Sequence, residues 1–510
     1  MTATLALNDV ERFRNALGRC LGLTFVDGQI ALLVETLQRR LDASGRASGE
    51  YIGQLETAPS RDEIGMLARD LTVCETYFFR HIQQFRAMAE VAVPDRLADQ
   101  QRQKRLRLLS AGCASGEEPF SLSIILHEHA VDLPSDVSIK AVDVNPLMLE
   151  KAARGRYSEW ALRETHEDVR RKWFHQDGRE VVIADAARSL VQFEQRNLVE
   201  DDADFWQTNS YDIIFCRNVL MYFSAETARS VIARITHCLA PGGFLFLGHA
   251  ETLRGLSQDF HLRHTHGTFY YQRKDLRDAG RRFDDVKARG SAHGTSPLAA
   301  VVDAADGWVD AIRRASERVE NLARIQDQIT ARANGVQTPE VQRPWDLGKA
   351  LDLLKCERFA DALDVLQGLP PEAALDPEVL LLRAALLTHG GRFSVAENAC
   401  QKLLEVDELN AGAHYLLALC REGAGDSSAA AERDQVATYL DPAFAMPRLH
   451  LGLLARRKGD RERAREELGQ ALLLLQREDA SRLLLFGGGF GREALSALCR
   501  AEILACGGRP

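Results

Sequence analysis

The sequence predicts a multidomain protein. An all-α subdomain comes first, then an α/β unit on a mostly parallel sheet, then an all-α solenoid of repeats. Three observations carry this. Residues 1–90 place apolar side chains at helical spacing. Residues 91–275 alternate short apolar runs with amphipathic stretches, the pattern of strands covered by helices. The last third repeats itself every 34 residues.

The opening segment "NDVERFRNALGRCLGL" has helical periodicity, with Asn8 or Asp9 as a possible N-cap. "QIALLVETLQRRLDASG" predicts a second helix stopping near Gly45, and "RDEIGMLARDLTV" a third that runs into "CETYFFR". Three consecutive aromatics, Tyr77, Phe78 and Phe79, followed by Arg80, exceed what one amphipathic helix needs.

From residue 91 the period changes. "LRLLSAG" reads as a buried strand with a glycine turn, and "EEPFSLSIILHEHA" as a helix with Glu117, Glu118 and Pro119 in its first turn. "VSIKAVDVN" is the next strand and "PLMLEKAARG" a helix opened by Pro146. Residues 158–193 are less regular and suggest a small insertion. "YDIIFCRNVLMYF" is a strand entering a loop, "AETARSVIARITHCLA" a helix, "PGG" a turn, "FLFLGHAE" a strand and "GTFYYQRK" a final strand. Residues 276–340 read as a flexible linker, with "ARGSAHGTSPL" its clearest part and 306–333 a candidate solvated helix.

In the last third, Ala362, Ala396, Ala430 and Ala464 keep the 34-residue period. So do Gly391, Gly425 and Gly459. Small residues at that period are the tetratricopeptide (TPR) signature, an interaction scaffold. The repeats are assigned to 341–480 and a capping helix to 481–510.

Composition narrows the function. A formal net charge of -9 argues against a general nucleic-acid binder. One basic run carries Arg102, Lys104, Arg105 and Arg107; it reads as a solvated approach to a strand, with an acidic partner's docking patch as the alternative. The ten cysteines form no CxxC pair, so neither a disulfide framework nor a metal site is expected. Free thiols inside apolar runs fit a reducing cytoplasm. "MTATLALNDVERF" lacks the basic and apolar regions of a signal peptide, and no uncharged apolar run of about 18 residues suggests a membrane span.

The chemistry-bearing residues gather at predicted strand ends. Gly112 and Gly116 lie between a buried strand and a helix, where an open α/β sheet holds a nucleotide-like cofactor. The spacing is not G-x-G-x-x-G, and two acids at the helix start would repel phosphate and welcome a cation. Asp143 closes the next strand and could hold ribose hydroxyls, or cap the helix after it. Asn197, Leu198, Arg217 and Asn218 follow later extended stretches. An adenosine cofactor with a cationic amino-acid tail and no phosphate fits this set. S-adenosyl-L-methionine is such a molecule.

In this order, "TYFFR", "SAGCASGEEPFS", "VDVN", "FCRNVLMYF" and "PGGFLFLGHAE" resemble the motifs of the CheR family, over roughly residues 8–273. The resemblance implies a class I Rossmann-like α/β methyltransferase with a small β-insertion. It implies S-adenosylmethionine-dependent formation of glutamate methyl esters on the cytoplasmic domain of a methyl-accepting chemoreceptor, giving adaptation in a chemosensory pathway. Carried over by position, Thr76, Arg80, Glu117, Asp143, Asn197, Leu198, Arg217 and Asn218 would contact cofactor, and Arg80 and Tyr222 would lie near the transferred methyl. Cys74 stands where many members have Asn, a departure that bears on one cofactor hydrogen bond and not on the activity. Repeats following such a unit, and the ending "LLLFGGGFGREALSALCRAEI", resemble Wsp-type, biofilm-associated members, with an unknown protein partner in the TPR groove. Members that need a tether peptide on the receptor have a longer, glycine-rich turn in the β-insertion; here only Gly178 is present.

A glutamate side chain, with a reference pKa of about 4.3, is already ionised at neutral pH, so the reaction needs placement and dryness rather than a general base. Amino-methylating nucleic-acid enzymes carry an Asn/Asp-Pro-Pro-aromatic stretch where this chain has "RNVLMY". Cys216 follows Phe215 rather than proline and reads as core, not as a nucleophile. Two alternatives stay open: a TPR adaptor whose methyltransferase unit only binds cofactor, and a small-molecule carboxyl methyltransferase.

Overall fold

The computed structural model describes residues 6–98, 105–129, 136–275 and 347–508, except 357 and 489. They fall in two compact units, Met1–Phe283 and Asp284–Pro510. The expected linker at 276–340 and its candidate helix at 306–333 lie outside the described residues, as do Arg102 and Lys104 of the basic run. Arg105 and Arg107 of that run pair with Asp136 (3.4 Å) and the Asn209 carbonyl (2.8 Å), which supports the approach-to-a-strand reading.

The first unit opens with α1 (Leu7–Cys20), α2 (Ile30–Ser44), α3 (Ser48–Thr57) and α4 (Arg61–Leu71). Val10, Phe13, Leu17, Leu33, Leu37 and Leu67 meet in their common core. Neither Asn8 nor Asp9 caps α1: Ala6 holds that place without a side-chain bond, and the Asp9 carboxylate instead accepts from Ser48 Oγ at 2.7 Å. Gly45 does stop α2, in the left-handed conformation at φ 68°. Helix α3 was not legible in the pattern. A further helical stretch follows the aromatics: α5 (Ile82–Ala87), a π-turn (Met88–Ala92) and α6 (Val93–Ala98).

The α/β part comprises β1 (Arg105–Ala111), α7 (Glu117–His129), β2 (Asp136–Asp143), α8 (Pro146–Arg154), β3 (Arg156–Tyr157), α9 (Glu167–Trp173), β4 (Phe174–Asp177), β5 (Glu180–Ile183), α10 (Asp185–Arg188), β6 (Val191–Gln195), β7 (Tyr211–Cys216), α11 (Ala225–Cys238), β8 (Leu239–Leu247), β9 (Phe260–Thr265) and β10 (Thr268–Arg273). Seven strands form one sheet in the order β6-β2-β1-β7-β8-β10-β9. The first five are parallel, and β10 and β9 are antiparallel. Strands β2 and β7 flank β1 on opposite sides, so the winding reverses there and opens a crevice at the carboxyl ends. The irregular stretch is a separate three-stranded sheet, β3-β5-β4, the small β-insertion. "PGG" is not a turn before β8 but an irregularity within it: Gly242 sits at φ 69°, and a Cβ on Gly243 would fall 2.7–2.8 Å from the Ala240 and Asp212 carbonyls.

The second unit is all helical. Its pairs are α12 (Gly348–Lys355) with α13 (Phe359–Gln367), α14 (Pro377–His389) with α15 (Phe393–Val406), α16 (Ala411–Gly423) with α17 (Ser427–Leu440), and α18 (Ala445–Arg457) with α19 (Arg461–Leu475). The periodic alanines 362, 396, 430 and 464 are each fully buried where a pair closes. Gly391, Gly425 and Gly459 turn the chain between partners with left-handed φ of 73°, 85° and 83°, which explains their period. The tail is two helices, α20 (Ala480–Phe486) and α21 (Arg492–Ala505), rather than the single cap expected. Among the described residues no helix is long and apolar enough to cross a membrane, and no cluster of metal-ligating side chains occurs.

Candidate active site

The crevice at the ends of β1, β2 and β7 holds two adjoining pockets that share Val73, Gly112, Ala114 and Asn218. One is largely apolar and measures about 760 Å³ including its open mouth; Leu23, Val144, Leu198 and Val219 line it, with Asp143, Asn197 and Tyr222 as polar groups. The other, about 480 Å³, is charged and is lined by Thr76, Tyr77, Arg80, Glu118 and Arg217. Gly112 lies at φ 79° beneath both, and a Cβ there would collide with Val219. A second close approach is at Gly116, φ 92°, where a Cβ would come within 2.8 Å of Ala152.

The helical subdomain supplies one wall. Asn197 Nδ2 donates to the Cys20 carbonyl at 2.7 Å, and the Thr24 N–H donates to the Tyr222 carbonyl at 2.8 Å. Leu21 and Leu23 thereby reach the apolar pocket, a contribution that helical patterning alone did not reveal.

Asp143 ends β2 on the apolar pocket. Its carboxylate accepts from the Ala114 N–H (2.8 Å) and the Asn145 N–H (2.9 Å). Burial pushes its pKa up, and these backbone donors oppose the shift. The helix-cap reading of Asp143 fails: Asn145 caps α8, its Oδ1 accepting from the Leu147 and Met148 N–H groups. Asn145 Nδ2 also donates to Thr72 Oγ1 (3.0 Å) and lies 3.6 Å from Cys74 Sγ on the pocket wall. Burial raises the Cys74 thiol, which keeps it neutral.

Of the side chains singled out in the sequence for the cofactor and the transferred methyl, the pockets gather all but Glu117. Glu117 is 2% exposed and its carboxylate accepts from Ser115 Oγ at 2.8 and 3.0 Å, below the loop rather than on a pocket wall. Its neighbour Glu118 takes the wall position, accepting from Ser110 Oγ (2.8 Å) and pairing with Arg217 Nη1 (3.3 Å). Burial raises Glu118, and the Arg217 charge opposes the rise. Arg217 is itself buried, and its Nε, buried with it, has no partner among the described residues. The pockets thus offer an apolar slot with a strand-end acid, joined to a buried acid and buried guanidinium. A nucleoside carrying an amino-acid tail matches both halves.

The aromatic stretch builds the floor for Arg80. Phe78 is fully buried, edge-on to Tyr157 and to Phe174, each at 4.9 Å. Its N–H donates to the Ala161 carbonyl, and that of Phe79 to Ser121 Oγ at 3.0 Å. Phe78 and Phe79 therefore anchor in the α/β core. Phe79 and His81 both adopt left-handed backbone, φ 59° and 61°, so Arg80 projects from a strained turn. Arg217 Nη2 donates to the Arg80 carbonyl at 2.5 Å and holds that turn. Cys216 is buried in β7, as expected.

One residue escaped the sequence reading. Glu251, 5% exposed, accepts from the N–H groups of Gly248 (2.7 Å), Asn218 (2.7 Å), Val219 (2.9 Å) and Met221 (3.3 Å). It ties the end of β8 to the loop after β7 and fixes Asn218 at φ 58°. Its only trace in sequence is an acid two residues beyond "GH".

Residues 74–269 match the family model described as CheR methyltransferase, SAM binding domain. The chain is 33% identical over 269 residues to chemotaxis protein methyltransferase 2 of Vibrio cholerae, covering 52% of this chain and 92% of that protein. It is 32% identical over 262 residues to chemotaxis protein methyltransferase 1 of Pseudomonas aeruginosa, covering 50% and 93%. A thermophilic TPR protein from Thermus thermophilus aligns at 22% identity and a TM-score of 0.25, over 31% of this chain and 88% of that one.

Proposed function

The chain belongs to the CheR family of S-adenosylmethionine-dependent chemotaxis protein methyltransferases, and from that premise we propose that it forms methyl esters on glutamate side chains in the cytoplasmic domain of a chemoreceptor. The observation that carries this reading is Arg80, set on a braced turn beside the buried Glu118–Arg217 pair and adjoining the apolar pocket. Bound S-adenosylmethionine supplies the methyl group. Asp143 and Asn197 suit the ribose, Glu118 the ammonium and Arg217 the carboxylate. Arg80 orients the incoming carboxylate, and Tyr222 with Leu23 and Phe223 narrows the mouth and limits water. No side chain has to move a proton. Incubation with labelled S-adenosylmethionine and candidate receptors, followed by mapping of base-labile label, tests the proposal; label on free acids but on no receptor would favour a small-molecule enzyme.

Asp143→Ala is expected to weaken cofactor binding by about 1.5–3 kcal/mol, the value of hydrogen bonds to a charged group. Calorimetry reads this directly, and unchanged affinity would remove Asp143 from the ribose site. Residues 1–275 alone are expected to bind cofactor with undiminished affinity, because both pockets lie in the first unit. Loss of binding by a folded fragment would mean that the second unit completes the site.

The repeats are proposed to hold a protein partner and so raise its local concentration. With only Gly178 and Arg179 between β4 and β5, the insertion offers a short edge for an added peptide strand. Methylation is therefore expected to survive removal of the receptor's last residues. Its abolition by that trimming, with repeat deletion harmless, would contradict this.

A further inference from the structure

Helix α16 is buried at every position from Ala411 to Cys420, and α18 at every position from Ala445 to Ala455 except Arg448. A helix buried all round is covered on more than one side. Its pair partner covers one face. The chain's own α20 contributes to covering another, by doubling back against α12, α14 and α16. These are the first helices of successive pairs, so α20 lies across the face they share.

The contacts are those of a seated ligand. Phe486, 4% exposed, packs 5.9 Å from the Tyr415 ring and 4.9 Å from Phe444. A Cβ at Gly412 would lie 2.6 Å from the Phe486 ring, so glycine makes the seat. Leu483, one turn earlier, is equally buried. His389 Nε2 lies 2.9 Å from the Leu485 carbonyl, and Arg482 pairs with Asp441 at 3.0 Å while stacking 4.3 Å over Phe444. Seven residues are too few to hold a helix alone in water, so docking maintains α20.

We propose that α20 is a built-in occupant of the scaffold face, and that a protein partner binds by displacing it with a short amphipathic helix of the same chemistry. That helix presents a leucine and a phenylalanine three residues apart, with a basic residue just before the leucine. This rests on reading the repeats as a partner scaffold. A tethered occupant acts at an effective concentration in the millimolar range, so the resting face is closed and a free ligand binds at reduced apparent affinity.

The probe is a fluorescent peptide of residues 479–488, followed by anisotropy on the full chain. Phe486→Ala and the milder Arg482→Ala are expected to bind it at least tenfold tighter than the unaltered chain. A peptide lacking the phenylalanine should bind none of them. Amide exchange on the unaltered chain gives a second readout that needs no variant: the Leu483 and Gly487 amides should exchange at least tenfold faster than those of Tyr415–Cys420. Folded variants that bind the peptide no better, or α20 amides that exchange in step with α16, overturn the proposal. Loss of receptor methylation on repeat deletion tests the scaffold reading separately, so a failure of one is not mistaken for a failure of the other.

Discussion

Glu251→Ala is expected to destabilise the first unit by about 3 kcal/mol or more and to lower cofactor affinity at least tenfold. The carboxylate is buried and accepts from four backbone N–H groups, at Gly248, Asn218, Val219 and Met221. A buried donor left without a partner costs about 1–3 kcal/mol, and water entering the gap recovers only part of that. The affinity effect follows from position. Asn218 lines both pockets in a left-handed conformation, one that asparagine tolerates better than most residues and that the bond from its N–H to Glu251 fixes here. Val219 packs over Gly112, the glycine beneath the cleft. Releasing the loop therefore loosens the floor as well as the rim. Glu251→Gln tests the cause, because it keeps the shape but turns an NH₂ group toward a nest of donors. It should recover little. Urea unfolding of the first unit and calorimetry with S-adenosylmethionine read both effects; an alanine variant with the original midpoint and affinity would show that the loop holds without its anchor.

The strand-end acid at Asp143 and the glycine turn at Gly112 were legible because an alternating α/β pattern fixes where strand ends meet, and chemistry at those ends is local in sequence. The choice between Glu117 and Glu118 was not. Adjacent helical residues point about 100° apart, and only the angle at which α7 leaves the turn decides which faces the cleft. Glu251 was hidden for a different reason: its partners are backbone groups, which no side-chain motif reports, and three of them lie about thirty residues upstream. The repeat array was the easiest part to read, since its alanines and glycines recur for steric reasons at each crossing and turn. Its tail was misread as one cap. "LLLFGGGF" carries no period, and its seat across earlier helices is set by Gly412 and Tyr415, about seventy residues away.

Arg80→Ala should reduce methyl transfer by about a hundredfold or more, some 2.7 kcal/mol in transition-state terms, while leaving cofactor affinity nearly intact. The fold invests heavily in this one side chain. Two left-handed residues flank it, the buried Phe78 ring and the Ser121 hydroxyl pin the turn, and Arg217 binds its carbonyl. The guanidinium itself is only lightly engaged, donating to the Glu75 carbonyl at 3.3 Å and lying 5.8 Å from the Tyr77 ring. A braced backbone under a lightly held cation is suited to meeting a group that arrives from solution. A carboxylate that is already ionised gains orientation from such a contact, and too tight a grip would blunt it as a nucleophile. The variant should therefore lose turnover rather than cofactor binding. Arg80→Lys keeps the charge but not the planar fork, and an intermediate rate would assign part of the effect to geometry. Parallel losses in turnover and cofactor affinity would instead make Arg80 a cofactor ligand, and a variant with unimpaired turnover would remove it from the reaction altogether.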